Sequence, residues 1–148
     1  MIDPKYYLSV RSLVLWSYTT LGDPRWVFTN KYIVLHQNPK ATKPQKLGLS
    51  NRRHWGAYLR NGHLFVKQNT YQEGATYPDG GCSFETFTNA AMLELECLGP
   101  LTKLPANGGT TTLNETWWLL DGVKSDSTDA SIDAEVLPKI RWLSKMFL

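Results

Sequence analysis

The sequence predicts a mainly β chain: an antiparallel β-sandwich with a short C-terminal helical segment. Three observations predict it. Runs of β-branched and aromatic residues recur from residue 13 to residue 120, each ended by Gly, Pro, Asn or Asp punctuation. Asn61-Gly62 stands between two apolar runs and is a hairpin signal. After residue 131 the apolar positions Ile132, Val136, Ile140 and Leu143 return every three or four residues, which is helical spacing.

Taken in order, residues 13–19 form a first strand ended by Gly22-Asp23-Pro24. Residues 26–37 resume the apolar pattern with Val27, Phe28, Tyr32, Ile33, Val34 and Leu35. Residues 38–44 hold two prolines and two lysines and read as a loop. Residues 56–60 and 63–68 are the two arms of the Asn61-Gly62 hairpin, which sets Tyr58 and Phe65 in one sheet. Residues 71–83 form a long loop with Gly74, Pro78, Gly80 and Gly81; structureless loops of this length are usually functional or mobile. Strands follow at 84–88, 91–98 and 110–120, with turns at Gly99-Pro100 and at 105–109. Residues 125–129 offer helix N-caps. Pro138 interrupts the tail's pattern and predicts two short helices, with Pro138 in the first turn of the second. Trp142, Met146, Phe147 and Leu148 make the tail's end apolar, fit to pack on the sandwich or on a partner. The expected organisation is one domain over 1–148: the sandwich over 8–124 and the helical tail over 125–148.

Composition narrows the class. The 148 residues are 42% hydrophobic and 20% charged, enough apolar material for a core. No apolar run approaches the roughly 18 residues of a membrane span. The start Met1-Ile2-Asp3-Pro4 is unlike a signal peptide, so a cytoplasmic location and no membrane partner are expected. Cys82 and Cys97 read as ordinary thiols of a reduced compartment. Net charge is +3 but unevenly spread. Residues 24–72 carry nine Lys or Arg and no acid, whereas residues 73–135 carry eleven acids and two lysines. The basic half, with Lys40, Lys43, Lys46, Arg52 and Arg53, would suit phosphate binding. With no nucleic-acid motif present, the favoured reading is interleaving: strands of the two halves alternate and opposite charges become neighbours. Nucleic acid is therefore not expected as a partner.

Two strands carry candidate chemistry. In residues 92–98 alternation puts Leu93, Leu95 and Cys97 on the core face. Glu94 and Glu96 then lie ~7 Å apart on the open face, placed for acid–base work or for hydrogen bonds to sugar hydroxyls. In residues 111–119, Trp117 and Trp118 point to opposite sides of the sheet, one into the core and one free to act as a platform for a sugar ring. His36, His54 and His63 lack metal-ligand spacing, and no nucleotide-binding or nucleophile motif occurs, so no cofactor and no metal are expected.

Several segments in order look like one family pattern: Trp16-Ser17-Tyr18, Asp23-Pro24-Arg25-Trp26, Lys46-Leu47-Gly48, Trp55-Gly56-Ala57-Tyr58, Leu64-Phe65-Val66-Lys67, Tyr77-Pro78-Asp79-Gly80-Gly81, Phe84-Glu85-Thr86-Phe87-Thr88, the run from Leu93 to Pro100, and Asn114-Glu115-Thr116-Trp117. Together they resemble the galactose mutarotase-like superfamily, and within it the uncharacterised bacterial β-sandwiches of the DUF4380 type. The resemblance covers residues 13–123. It implies a carbohydrate-related sandwich. Aldose 1-epimerases of this superfamily use a glutamate as general base and a histidine as general acid at the anomeric centre. Glu96, on a late strand before Gly99-Pro100, matches the glutamate; His36 or Tyr77 would be the acid. Members carry a further N-terminal set of strands, so the chain looks like the C-terminal half of the fold. Its open edges and faces then imply a homodimer.

The expected function is non-catalytic carbohydrate binding on a sandwich face. The expected ligand residues are Lys67, Glu73, Tyr77, Asp79, Glu85, Glu94 and Glu96, with Trp55 or Trp117 as the stacking ring. The alternatives are a sugar epimerase or lyase-like enzyme with Glu96 as base, and an assembly protein that has lost its site.

Overall fold

A computed structural model of the chain describes residues 3, 7, 9 and 11–145. Met146, Phe147 and Leu148, expected to make the tail's end apolar, lie outside the described residues. The chain is mainly β, with antiparallel sheets and a short C-terminal helical segment. The strands are β1 (Leu13–Leu15), β2 (Trp26–Phe28), β3 (Ile33–Leu35), β4 (Gln45–Leu49), β5 (Trp55–Arg60), β6 (His63–Asn69), β7 (Phe84–Thr88), β8 (Leu93–Cys97) and β9 (Glu115–Leu120). They form a four-stranded sheet in the order β1-β4-β7-β8, a three-stranded sheet β5-β6-β9, and the hairpin β2-β3.

The two larger sheets face one another. Phe84 on β7 points across at β5, where Gly56 leaves room for its ring: a Cβ there would sit 2.0 Å from the ring's Cζ. On β8, Leu93, Leu95 and Cys97 point into this space, as their alternation predicts. The other side of β5-β6-β9 carries the apolar core. Leu64 and Val66 pack there with Val123 and with Ile132, Val136, Ile140 and Leu143 of the tail. The tail residues recur at helical spacing because that stripe is what the sheet buries. Each fully buried Leu or Val contributes about 1.5–3 kcal/mol.

Several elements depart from expectation. The run 26–37 is broken into β2 and β3 by a turn in which the Thr29 amide donates to the Tyr32 carbonyl, 3.0 Å. Residues 45–49, flanked by Pro44 and assigned no strand from sequence, form β4 at the centre of the larger sheet. The strand expected over 110–120 begins only at Glu115, and residues 101–114 are exposed and irregular. The Asn61-Gly62 hairpin forms as expected, with Tyr58 opposite Phe65; both turn residues have φ in the left-handed region.

The tail starts at α1 (Asp129–Ser131), where the N-cap Thr128 side chain accepts from the Ser131 amide, 3.2 Å. Pro138 stands in the first turn of the last helix, as expected, but it does not split the tail. Instead a π-helical turn, Ile132–Val136, leads directly into α2 (Leu137–Lys145). Proline has no N–H and its ring crowds the carbonyl four residues back, so a widened turn ahead of it keeps the helical run unbroken. No helix among the described residues is long and apolar enough to cross a membrane.

Candidate functional site

The outer face of the four-stranded sheet, turned away from β5-β6-β9, concentrates charge. Strand alternation sends Lys46 and Gly48 of β4, Glu85 and Phe87 of β7, and Glu94 and Glu96 of β8 to this side. Register places Glu85 beside Gly48 on one strand and beside Glu96 on the other. Two carboxylates therefore flank one ammonium. Lys46 Nζ lies 2.7 Å from Glu85 Oε2 and 3.5 Å from Glu96 Oε1. It also sits 4.8 Å from the ring centre of Trp16, a cation–π distance.

Glu85 is the unusual member. Its side chain is only 2% exposed, and Oε1 is buried with no hydrogen-bond donor. Burial pushes its pKa above the usual carboxylate range. Lys46 pulls it back part of the way, and the nearby Asp79 carboxyl pushes it up again. Burial disfavours the Lys46 ammonium, but its bond to Glu85 and the charge of Glu96 outweigh this and leave its pKa raised.

The loop over residues 71–83 closes one side of the cluster. Asp79 has φ of 48°, and Gly80 and Gly81 follow in the same left-handed region, so the chain turns sharply back. The turn is fixed by Cys82, whose amide donates to the Pro78 carbonyl at 2.8 Å and whose thiol donates to the Asp79 carbonyl at 3.0 Å. Gly48 is required beneath it, because a Cβ there would lie 2.4 Å from Cys82 Sγ. Burial raises the Cys82 thiol to about 11, which keeps it protonated at neutral pH.

Of the residues expected at a site, the structure brings together Asp79, Glu85 and Glu96, with Glu94 half-buried on the same face opposite Phe87. Others lie elsewhere. Tyr77 is buried and stacked on Tyr71 with ring centres 4.8 Å apart, and its hydroxyl accepts from the Gln72 amide at 2.8 Å. Glu73 is exposed, 3.9 Å from Arg52. Lys67 and Trp117 stand on the inner side of β6 and β9, where Lys67 pairs with Glu115 at 2.9 Å and donates to the Leu95 carbonyl at 3.2 Å. Trp55 packs against the tail's core, its ring 6.4 Å from that of Tyr32. His36 lies beside Ser127, 3.4 Å away.

The sequence did not point to Lys46 or Trp16 as members of this site, although both stand in segments that resemble the family pattern. Lys46 becomes central only once residues 45–49 are seen as a strand, and alternation from Leu47 was the available signal. Among the described residues no group of three His, Cys, Asp or Glu is placed to hold a metal. No family model, curated protein or solved structure matches this chain.

Proposed function

We propose that the chain is a carbohydrate-binding sandwich of galactose mutarotase-like type, and that its site is the outer face of β4, β7 and β8. The observation that carries this reading is the Glu85–Lys46–Glu96 row beside Trp16. A row of alternating acceptors and donors next to an aromatic ring matches a sugar, which has hydroxyls around its edge and C–H groups on its faces. The Glu96 carboxylate, a third exposed, accepts from a hydroxyl, and Lys46 donates.

A second reading is favoured by one observation. Glu85 is buried, with its pKa raised, while Glu96, on the adjacent strand, is a third exposed and shares the same lysine. A pair of carboxyls in unlike environments is the arrangement of an acid and a base. Glu96 would take the proton from the anomeric hydroxyl as base, as in the epimerases, with an acid other than His36, which lies beside Ser127.

Thermal shift against neutral monosaccharides, uronic acids and oligosaccharides tests both. A ligand well above its dissociation constant raises Tm. The expected result is a shift with one sugar class that is lost in Glu96→Gln and Lys46→Met but kept in Trp55→Phe. The same ligand is then followed by polarimetry. Catalysed anomer interconversion that Glu96→Gln abolishes selects the enzyme; its absence selects the binding module. No shift with any sugar overturns the carbohydrate reading.

A further inference from the structure

β9 is one of the two edges of the three-stranded sheet: among the described residues it is paired with β6 on one side only. An edge strand presents a row of unpaired N–H and C=O groups, which soluble proteins usually guard with charges, proline or a bulge. Among the described residues no charge, proline or bulge guards it between Glu115 and Asp121. Between Glu115 and Asp121 the chain reads Thr-Trp-Trp-Leu-Leu, uncharged and rich in strand formers. Trp117 is 62% exposed and Leu119 69%. Both stand on the inner side, Trp117 lining a cleft of about 270 Å³ with Tyr58, Phe65, Leu93 and Leu95. Glu115 is already engaged: it pairs with Lys67 at 2.9 Å and accepts from Trp117 Nε1 at 3.1 Å.

We propose that β9 pairs antiparallel with β9 of a second copy of this chain, across a two-fold axis at Trp117, joining two three-stranded sheets into one of six strands. Symmetry and charge carry the choice of occupant and register. Residues opposite each other across antiparallel strands point to the same face. A two-fold axis therefore passes through a residue that faces its own copy. For a strand of six residues, only two such registers keep five residues paired: those centred on 117 and on 118. Centring on 118 sets Glu115 against the partner's Asp121, two carboxylates face to face. Centring on 117 sets Glu115 against the partner's Leu119 and opposes no like charges. It also lays Trp117 against its own copy, which covers the two most exposed positions of the strand. The edge is thus complementary to itself in one register, as a two-fold interface requires. This proposal does not rest on the carbohydrate reading, whose residues lie on the other sheet.

Light scattering on the purified chain and three variants tests it. The expected wild-type mass is twice 16.8 kDa at high micromolar concentration. Trp117→Lys brings two ammonium groups together at the axis, and the expected result is a monomer with an unchanged circular dichroism spectrum. Leu119→Lys places its ammonium opposite the partner's Glu115, and the dimer is expected to persist. Trp117→Cys is expected to form a disulfide with its own copy under mild oxidation, and Leu119→Cys is not. Cys82 and Cys97 are buried and do not compete. A wild-type monomer, or a dimer whose Trp117→Cys form does not cross-link, overturns the proposal.

Discussion

Glu85 shows how one side chain carries a pH dependence into the whole fold. It is buried, bonded to a single ammonium through Oε2, and left with Oε1 unpartnered. Its folded pKa is raised above the unfolded value of about 4.3. A raised pKa means that the folded state binds the extra proton. The stability from Glu85 is therefore fully present below the unfolded pKa and is lost as pH rises through the folded one. Glu85→Gln keeps the shape and removes the titrating group. The expected outcome is that the variant's Tm gains on the wild type as pH goes from 4 to 8. A difference that is constant or falls over that range would show that Lys46 alone governs the group. Cys97 behaves more simply: burial pushes its thiol up to about 12, and it acts as a small apolar side chain between the sheets.

At the scale of elements, close approach between the two large sheets depends on Gly56. The Phe84 ring occupies the place where a Cβ would stand, and it is held by backbone pairing on both sides of β7. Gly56→Ala forces β5 and β7 apart or twists the ring out of its rotamer. Over-packing of this kind costs about 1–3 kcal/mol. Urea denaturation is expected to show that loss with an unchanged slope, and Phe84→Leu in the same chain is expected to recover part of it. Nothing local in Trp55-Gly56-Ala57 announces this role, because the ring comes from a residue 28 positions later. The same limit applies to β4. Pro44 before the run and Gly48 inside it lower its strand propensity. It becomes a central strand because β1 and β7 pair with it on either side. β8 was legible because its alternation is complete in itself. What alternation could not supply was the partner of Glu96. That is Glu85, and the register is set by the turn after β7, where Asn89 Oδ1 accepts from the amides of Ala91 and Met92.

For the molecule as a whole, the uneven charge along the chain resolves into pairs between its two halves. Lys31 meets Asp133, Lys46 meets Glu85 and Glu96, Arg52 meets Glu73, and Lys67 meets Glu115. In each pair the base comes from residues 24–72 and the acid from residues 73–135. That interleaving was readable from the charge runs together with a strand pattern that mixes the halves. Which pairs matter was not, because it depends on burial. Arg52 and Glu73 are 62% and 71% exposed and 3.9 Å apart, and pairs of that kind contribute about 0–1 kcal/mol. Lys67 and Glu115 are 13% and 18% exposed and 2.9 Å apart. Removing Lys67 strands a mostly buried carboxylate and also leaves the Leu95 carbonyl without its donor. Leaving such groups unsatisfied costs about 1–3 kcal/mol. Lys67→Met is therefore expected to lose about 2 kcal/mol in urea denaturation, and Arg52→Met less than about 0.5. Salt separates the two pairs further, since screening acts on exposed charges and reaches enclosed ones only weakly. If the two variants lose equal stability, the ion pairs between the halves are all surface pairs, and the sheets are held together by Phe84, Leu93 and Leu95 without help from charge.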